Sequence, residues 1–415
     1  MGGTEKMTIV KHIKIAGAAA ALGLLTISAP ASAQTTYNVA SLADFTGPYA
    51  DVMKDLIGAR RPVIDWWNAE VGKKIGVKLG IKDYDHRYDA AQVASLWPGI
   101  KAELNPIIVL GVGGPDVAAL QGRLPSDKIP MVMSTAAYGF AWKPDPWIFN
   151  QRPTYSHEAA AFFDWLRQKR GGSGPLKVAI ISSEASPAYV DQHKGVQRYA
   201  ADNPDKVEVV EVVFTEVQPT DLTTQVNRVT RKGAEVIMIM TNTAAVVATK
   251  RALQSLGKNV PIVVSSHNGL AESGRAIGDI KQMEGDYEVY AMAAPTDAKT
   301  PGREFFEMLQ SKYNLKAKWT VSAVQGLGQA LIAMRAIEAA AKKVGANKIT
   351  GEAVREALMS TTISADETYK ILGSTKFSND GPFPTQGLVV SIVTIKDGKY
   401  TEVAANVPVP SINKW

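Results

Sequence analysis

The sequence predicts an α/β protein of two lobes, each a parallel sheet covered by helices. Three observations carry this. Apolar runs of strand length alternate with helical patterns, the signature of α/β units with parallel sheets. The chain has 415 residues, 46% hydrophobic and 21% charged, which fills ordinary cores but exceeds what one core usually organises. The alternation also runs as two successive series with a change of rhythm after the second.

The first series opens with a strand over Tyr37 to Leu42 and a helix near Asp51 to Val71, where Ile57, Ile64, Trp67 and Val71 recur at helical spacing. Strands follow at Val77 to Ile81, Ile107 to Val112 and Pro130 to Met133. Between them, Asp89 and Gln92 stand at capping-box spacing and start a helix that reaches Glu103. The second series starts after Phe149, with strands at Val178 to Ile181, Val207 to Phe214, Val236 to Met240 and Ile262 to Val264. Helices fit between them at Tyr189 to Ala201, Leu222 to Lys232 and Ala244 to Leu256. The run Gly171-Gly172-Ser173-Gly174-Pro175 reads as a surface loop, because the rhythm continues past it.

After Met283 an extended segment, Tyr287 to Ala293, leads to helices at Gly302 to Tyr313, Trp319 to Val344 and Gly351 to Ser360. These helices need a sheet to cover, and the simplest solution returns the chain to the first lobe. A turn-rich run, Asn379-Asp380-Gly381-Pro382, then takes it back to the second lobe and a last strand at Leu388 to Ile395. The lobes are expected to be 34–152 with 288–378, and 153–287 with 379–415. No period of 20 to 50 residues repeats, which sets solenoids and propellers aside.

At the N-terminus, Lys11, His12 and Lys14 precede an apolar run from Ile15 to Ile27 and then Pro30-Ala31-Ser32-Ala33, an A-x-A cleavage form. About thirteen apolar residues are too few to span a bilayer, which takes about twenty. Residues 1–33 are therefore expected to be a secretory signal, with a mature start at Gln34. The chain has no cysteine, which leaves no lipid-anchoring residue at the cleavage point, no disulfides and no thiolate chemistry. The mature protein is expected to be soluble outside the cytoplasm.

Net charge is +6, but 46 Lys and Arg are scattered among 40 Asp and Glu. Phosphate binding needs clustered positive charge, so nucleic acid is not expected as a partner. The sequence contains no G-x-S-x-G, H-E-x-x-H or P-loop motif, and no G-x-G-x-x-G after the first strand. No catalytic residue and no cofactor is assigned. The alternating acids of Asp83 to Asp89 fail the EF-hand template at Arg87 and Tyr88, so no metal site is assigned either. Gly111-Val112-Gly113-Gly114-Pro115-Asp116 and Ser134-Thr135-Ala136-Ala137 each follow a strand. They would sit together at the carboxyl edge of a sheet, where α/β proteins bind ligands. Asp116 either meets a polar ligand group or caps the helix it begins, and capping is the expected role.

Ser41-Leu42-Ala43-Asp44-Phe45-Thr46-Gly47-Pro48-Tyr49, then Gly58-Ala59 and Asn68-Ala69, resemble the leucine-binding family of periplasmic receptors. So do Tyr84-Asp85 before Tyr88-Asp89-Ala90-Ala91-Gln92, Ile129-Pro130-Met131-Val132, and in the second half Val178 to Ile181 leading to Tyr189. Ala234-Glu235-Val236-Ile237 leading to Ala252-Leu253-Gln254-Ser255-Leu256-Gly257 continues the match, which covers nearly all of the mature chain in order. The resemblance implies a type I periplasmic-binding fold: two doubly wound lobes with parallel sheets, a three-strand hinge with crossings near Phe149, Tyr287 and Pro382, and a ligand trapped between the lobes.

It also implies a function: a monomeric periplasmic receptor that delivers a small carboxylate-bearing solute to the membrane permease of an ABC importer. A sensor of the same fold and, less favoured, a secreted hydrolase are the alternatives. The candidate ligand-binding residues are Tyr49, Gly114, Asp116, Thr135, Ala136, Ala137, Tyr189, Asn242, His267 and Asn268; among them the resemblance points to Thr135, Ala136 and Ala137 as the loop that meets the ligand carboxylate, and to Tyr189 and Asn242 from the second lobe. Amino-acid receptors of that family place a carboxylate where this chain has Asn268. A neutral Asn gives a buried ammonium no charge-assisted partner, which speaks against a plain branched-chain amino acid; the expected carboxylate-bearing solute is amino acid-like or an aromatic or aliphatic acid, with Tyr138 and Trp142 as further aromatic candidates.

Overall fold

The computed structural model describes residues 1–3, 34–135, 145–379, 383–384 and 387–415. The chain divides into two compact units, Met1–Ala33 and Gln34–Trp415, and the fold lies in the second. The expected signal segment and most of the Asn379 to Pro382 crossing fall outside the described residues, as do Ala136, Ala137, Tyr138 and Trp142.

In the first lobe, β1 (Thr35–Ala43) leads to α1 (Ala50–Trp67), a wide turn of π-helix at Asn68–Gly72 and the short α2 (Lys73–Ile75). Then come β2 (Val77–Asp85), α3 (Ala90–Leu104), β3 (Ile108–Gly111), α4 (Gly114–Leu120), α5 (Leu124–Asp127), β4 (Met131–Met133) and β5 (Ile148–Asn150). The sheet order is β2-β1-β3-β4-β5, all parallel. β1 is buried from Val39 to Ala43 without alternation, as a strand covered on both faces must be. Asp89 caps α3 by accepting the Gln92 N–H at 2.8 Å. The helix end at Asn68 is tied down differently from the plain helix expected to Val71. The Asn68 amide both donates to and accepts from the Leu79 backbone of β2, at 2.8 Å each.

The second lobe contains α6 (Tyr155–Lys169), β6 (Leu176–Ser182), α7 (Pro187–Asp202), β7 (Val207–Phe214), α8 (Thr223–Arg231), β8 (Val236–Ile239), α9 (Thr243–Ser255), β9 (Ile262–Val264), α10 (Leu270–Ile277) and β10 (Tyr287–Tyr290). Next come α11 (Pro301–Lys312), α12 (Val321–Val344) and α13 (Gly351–Ser360), and finally β11 (Val389–Lys396) and β12 (Lys399–Pro408). The second sheet runs β12-β11-β10-β9-β8-β6-β7. It is parallel from β10 to β7, but β11 and β12 are antiparallel. β12 carries no buried residue, so it lacks the apolar pattern by which a strand is read.

α11, α12 and α13 pack into the core of the first lobe, beside α1 and the strands β1 to β4. α12 presses against α1, and Gly326 is the contact point: a methyl group there would collide with the Leu56 carbonyl and lie 3.2 Å from Ala59 Cβ. Two helices that approach so closely leave room only for hydrogen at that position. The second crossing differs from expectation. Tyr287–Tyr290 pairs with β9 and β11, so the chain leaves the second sheet after Tyr290 and not near Tyr287.

Candidate functional site

The carboxyl ends of the strands in the two lobes face each other, and several contacts bridge them. The hydroxyls of Tyr49, at the start of α1, and Tyr189, in the first turn of α7, are hydrogen-bonded to each other. Asn242 donates to the Pro48 carbonyl at 3.3 Å, and Thr243 beside it donates to Asp51 at 2.6 Å. Gly114 is used for close approach. A Cβ there would stand 2.8 Å from Ser186 Oγ and 2.9 Å from Ala188 Cβ of the other lobe. Gly114→Val is therefore expected to weaken ligand binding by about 1–3 kcal/mol, the usual range for overpacking, while the unclosed fold stays intact. Calorimetric titration beside small-angle scattering would check this, and unchanged affinity would show that closure does not need the contact.

Behind these contacts lies a tight cavity, with about 20 Å³ open to the centre of a water-sized sphere, so a larger ligand needs the lobes to part before it enters. The first lobe contributes an apolar wall of Val52, Met53 and Leu56 from α1, with Tyr49, Tyr88 and Val112 above it. Thr135, after β4, and Gln325 of α12 close that side. The second lobe contributes Tyr155, Ala188, Tyr189 and Gln192, and the loop after β9 contributes Ser266 and His267. Gln325 is aligned by the Ser134 carbonyl, to which it donates at 2.6 Å, and Gln151 donates to the same oxygen at 3.0 Å.

His267 is buried, and neither ring nitrogen has a hydrogen-bond partner. Burial, reinforced by the Arg152 guanidinium, pushes its pKa down to about 3, so it faces the cavity as a neutral imidazole. Burial also holds the Tyr49 and Tyr189 phenols well above their usual range, and the Tyr49 phenol is raised further by Tyr189. At neutral pH these phenols keep their protons.

Of the residues singled out from sequence, Tyr49, Thr135, Tyr189 and His267 come together on the cavity wall. Four others do not line it. Gly114 spaces the lobes, and Asn242 begins α9 and reaches across to Pro48. Asp116 is fully buried and accepts the N–H groups of Val112 and Gly113, with His86 Nε2 3.1 Å from its other oxygen. His86 Nδ1 accepts the Tyr88 N–H, so its proton sits on Nε2, facing Asp116. The expected capping role holds in this form, and the Gly-rich turn carries no open N–H cradle, since Asp116 occupies it. Asn268 is spent on the protein itself, accepting the Ser265 N–H at 2.9 Å and donating to the Ile239 carbonyl at 3.0 Å.

Sequence reading missed Tyr88, Tyr155, Gln192, Ser266 and Gln325. Tyr88 and Ser266 each lie near a residue that was singled out. Gln325 sits mid-helix, with no local sign of function.

A family model described as periplasmic binding protein matches residues 36–399. The chain belongs to that family. Among solved structures, this periplasmic binding protein is similar to a branched-chain amino acid ABC transporter protein from Thermus thermophilus with bound valine. The two share 18% identity over 91% of this chain and 97% of that one, with a TM-score of 0.78. A fatty acid ABC transporter substrate-binding protein from Thermomonospora curvata matches at 20% identity over 90% and 95%, with a TM-score of 0.76. An ABC transporter solute-binding protein from R. palustris in complex with 4-hydroxybenzoate matches at 20% identity over 91% and 98%, with a TM-score of 0.71. At these identities the likeness shows the type I fold. No curated protein matches the sequence.

Proposed function

We propose that this periplasmic binding protein closes its two lobes on a small carboxylic acid that lacks an ammonium group and delivers it to the permease of an ABC importer. The observation that carries the ligand class is the cavity wall: its described residues are aromatic, aliphatic or neutral polar, with no Asp or Glu among them. The sequence of residues 136–144 contains no Asp or Glu either. A buried ammonium needs a carboxylate beside it, and Asn268, which stands where one was sought, turns away from the cavity. Four tyrosines and an aliphatic wall suit an aromatic or branched aliphatic body. The solved relatives include one holding 4-hydroxybenzoate and one named for fatty acids, beside one holding valine.

The lobes we propose are 34–152 with 291–378, and 153–290 with 379–415, acting as a monomer in the periplasm after removal of residues 1–33. Among the described residues no helix is long and apolar enough to cross a membrane. Closure needs only a ligand that binds the closed state better than the open one, so the solute leaves unchanged.

A thermal-shift screen of residues 34–415 against aromatic acids, aliphatic acids, their amides and the branched-chain amino acids tests this reading. A ligand at about a hundred times its dissociation constant adds about 2.7 kcal/mol of stability. Acids are expected to raise the melting temperature and leucine and valine to leave it unchanged. A strong leucine or valine shift would overturn the reading.

A further inference from the structure

One fully buried cation stands just outside the cavity, at the first crossing between the lobes. Arg152 follows β5 and is 1% exposed. One terminal nitrogen donates to Glu158, whose same oxygen also accepts the Ala291 N–H at 2.8 Å, from the second crossing. The other terminal nitrogen donates to Ser266 Oγ. The guanidinium carbon lies 4.9 Å from the centre of the Tyr155 ring, and its Nε is buried without a hydrogen-bond partner.

The direction of these bonds has a chemical outcome. A guanidinium has donors only, so Ser266 Oγ must accept from it, and the single Ser266 proton is left to point elsewhere. The Tyr155 hydroxyl is the next polar atom, 3.4 Å from Ser266 Oγ, and both residues line the cavity. Glu158, which balances the charge, is engaged with the Ala291 N–H of the second crossing. The pKa of His267 is lowered first by burial and then by the Arg152 charge, in keeping with a guanidinium close behind the cavity wall.

We propose that Arg152 is the positioning residue that makes this end of the cavity choose an anion, orienting the Ser266 hydroxyl as a donor toward the ligand and supplying the charge behind it. The inference rests on the carboxylate reading above and adds the group responsible for it. The acid end of the ligand sits at Ser266, Tyr155 and His267, and its body extends toward Val52, Met53 and Leu56.

The test compares matched acids and amides: benzoate with benzamide, 4-hydroxybenzoate with 4-hydroxybenzamide, and hexanoate with hexanamide. Each pair is titrated calorimetrically into the wild type, Ser266→Ala, and the double variant Arg152→Met with Glu158→Gln. The double variant removes both charges together, which avoids an unpaired buried ion, and the new Gln can still accept from Ala291. The wild type is expected to prefer an acid over its amide by about a hundredfold. Each variant should cut that preference by about tenfold or more, the scale of one hydrogen bond to a charged group.

A merely structural role would weaken acid and amide alike and leave the ratio unchanged, which overturns the assignment of Arg152 while the carboxylate reading stands. If wild type binds no acid in the set, or binds amides equally well, that reading fails and the inference falls with it. Should the double variant not fold, Ser266→Ala decides alone.

Discussion

Raising the pH from 7 to 8 is expected to destabilise this protein, and Glu288→Gln is expected to remove most of the loss. Glu288 on β10 is fully buried. One of its oxygens accepts the Leu270 N–H at 2.8 Å, and the other has no partner. Glu272 of α10 is buried close by with an unpartnered oxygen of its own, and the two free oxygens converge on Gly269. A methyl group there would lie 2.6 Å from Glu272 Oε2 and 3.2 Å from Glu288 Oε1. The only cation at Glu272 among the described residues is Arg275, 3.6 Å away, and the other neighbours are Ser322, Asp55 and the Tyr400 phenol.

Burial, then the charge of Glu272, raises the Glu288 carboxyl from an ordinary 4.5 to about 8; burial raises Glu272 as well. Between those values the folded state holds a proton that the unfolded state has released, so stability falls as pH rises, by about 1.4 kcal/mol per pH unit for one proton. The Glu288 contribution runs from near pH 5 to near pH 8, but up to about pH 6.5 it is opposed by His157 and His267, whose pKa values burial lowers to about 4 and about 3, so the net loss is read above pH 7. Urea midpoints across this range, for wild type and variant, measure it. A wild-type profile parallel to that of Glu288→Gln would show that the pair is ionised throughout and solvated.

Arg60→Met is expected to destabilise the chain by about 4 kcal/mol. Arg60 of α1 is wholly buried, and among the described residues no carboxylate pairs with it. Its partners are neutral oxygens: Ser41 Oγ at 2.8 Å, the Leu42 carbonyl at 2.7 Å, the Gly111 carbonyl at 3.1 Å and Gln329 Oε1 at 2.9 Å. Gln329 of α12 in turn donates to the carbonyls of Gly111 and Val132 at 2.7 Å each. One side chain thus binds the ends of β1 and β3 and the helix that covers them. Methionine fills the volume but strands Ser41, Leu42 and Gln329, at about 1–3 kcal/mol for each buried group left unmade. Lysine keeps the charge but not the planar fork and should fall between. Because Tyr49 and Val112 hang from these strand ends, ligand affinity should drop with stability. A loss under about 1 kcal/mol in urea titrations would mean that water replaces the guanidinium.

Much of the fold was legible because burial leaves a periodic record. Val207–Phe214, Ile262–Val264 and Gly351–Ser360 stand where the apolar spacing placed them, and Asp89 caps its helix through a local bond. β12 was invisible because its residues are not buried, and β5 because three residues carry no period. The site was legible only in part. Aromatic and small residues at strand ends marked Tyr49, Thr135, Tyr189 and His267. A polar residue in such a turn looks the same in sequence whether it faces a ligand or its own backbone, and Asp116 and Asn268 do the latter. Arg152 meets Ser266 across 114 positions, a pairing that no local pattern encodes.

The packing of α12 on α1 also sets the order in which this molecule can fold. Residues 50–67 need residues 321–344 before their apolar face is covered, and the second sheet needs residues 389–408 to complete its edge. A chain emerging from its N-terminus therefore holds two unfinished half-cores until its last quarter has appeared. Such distant pairings close slowly, and in the interval the exposed surface invites aggregation. Until residues 321–408 are made, both halves of the chain therefore present apolar surface that the finished molecule covers.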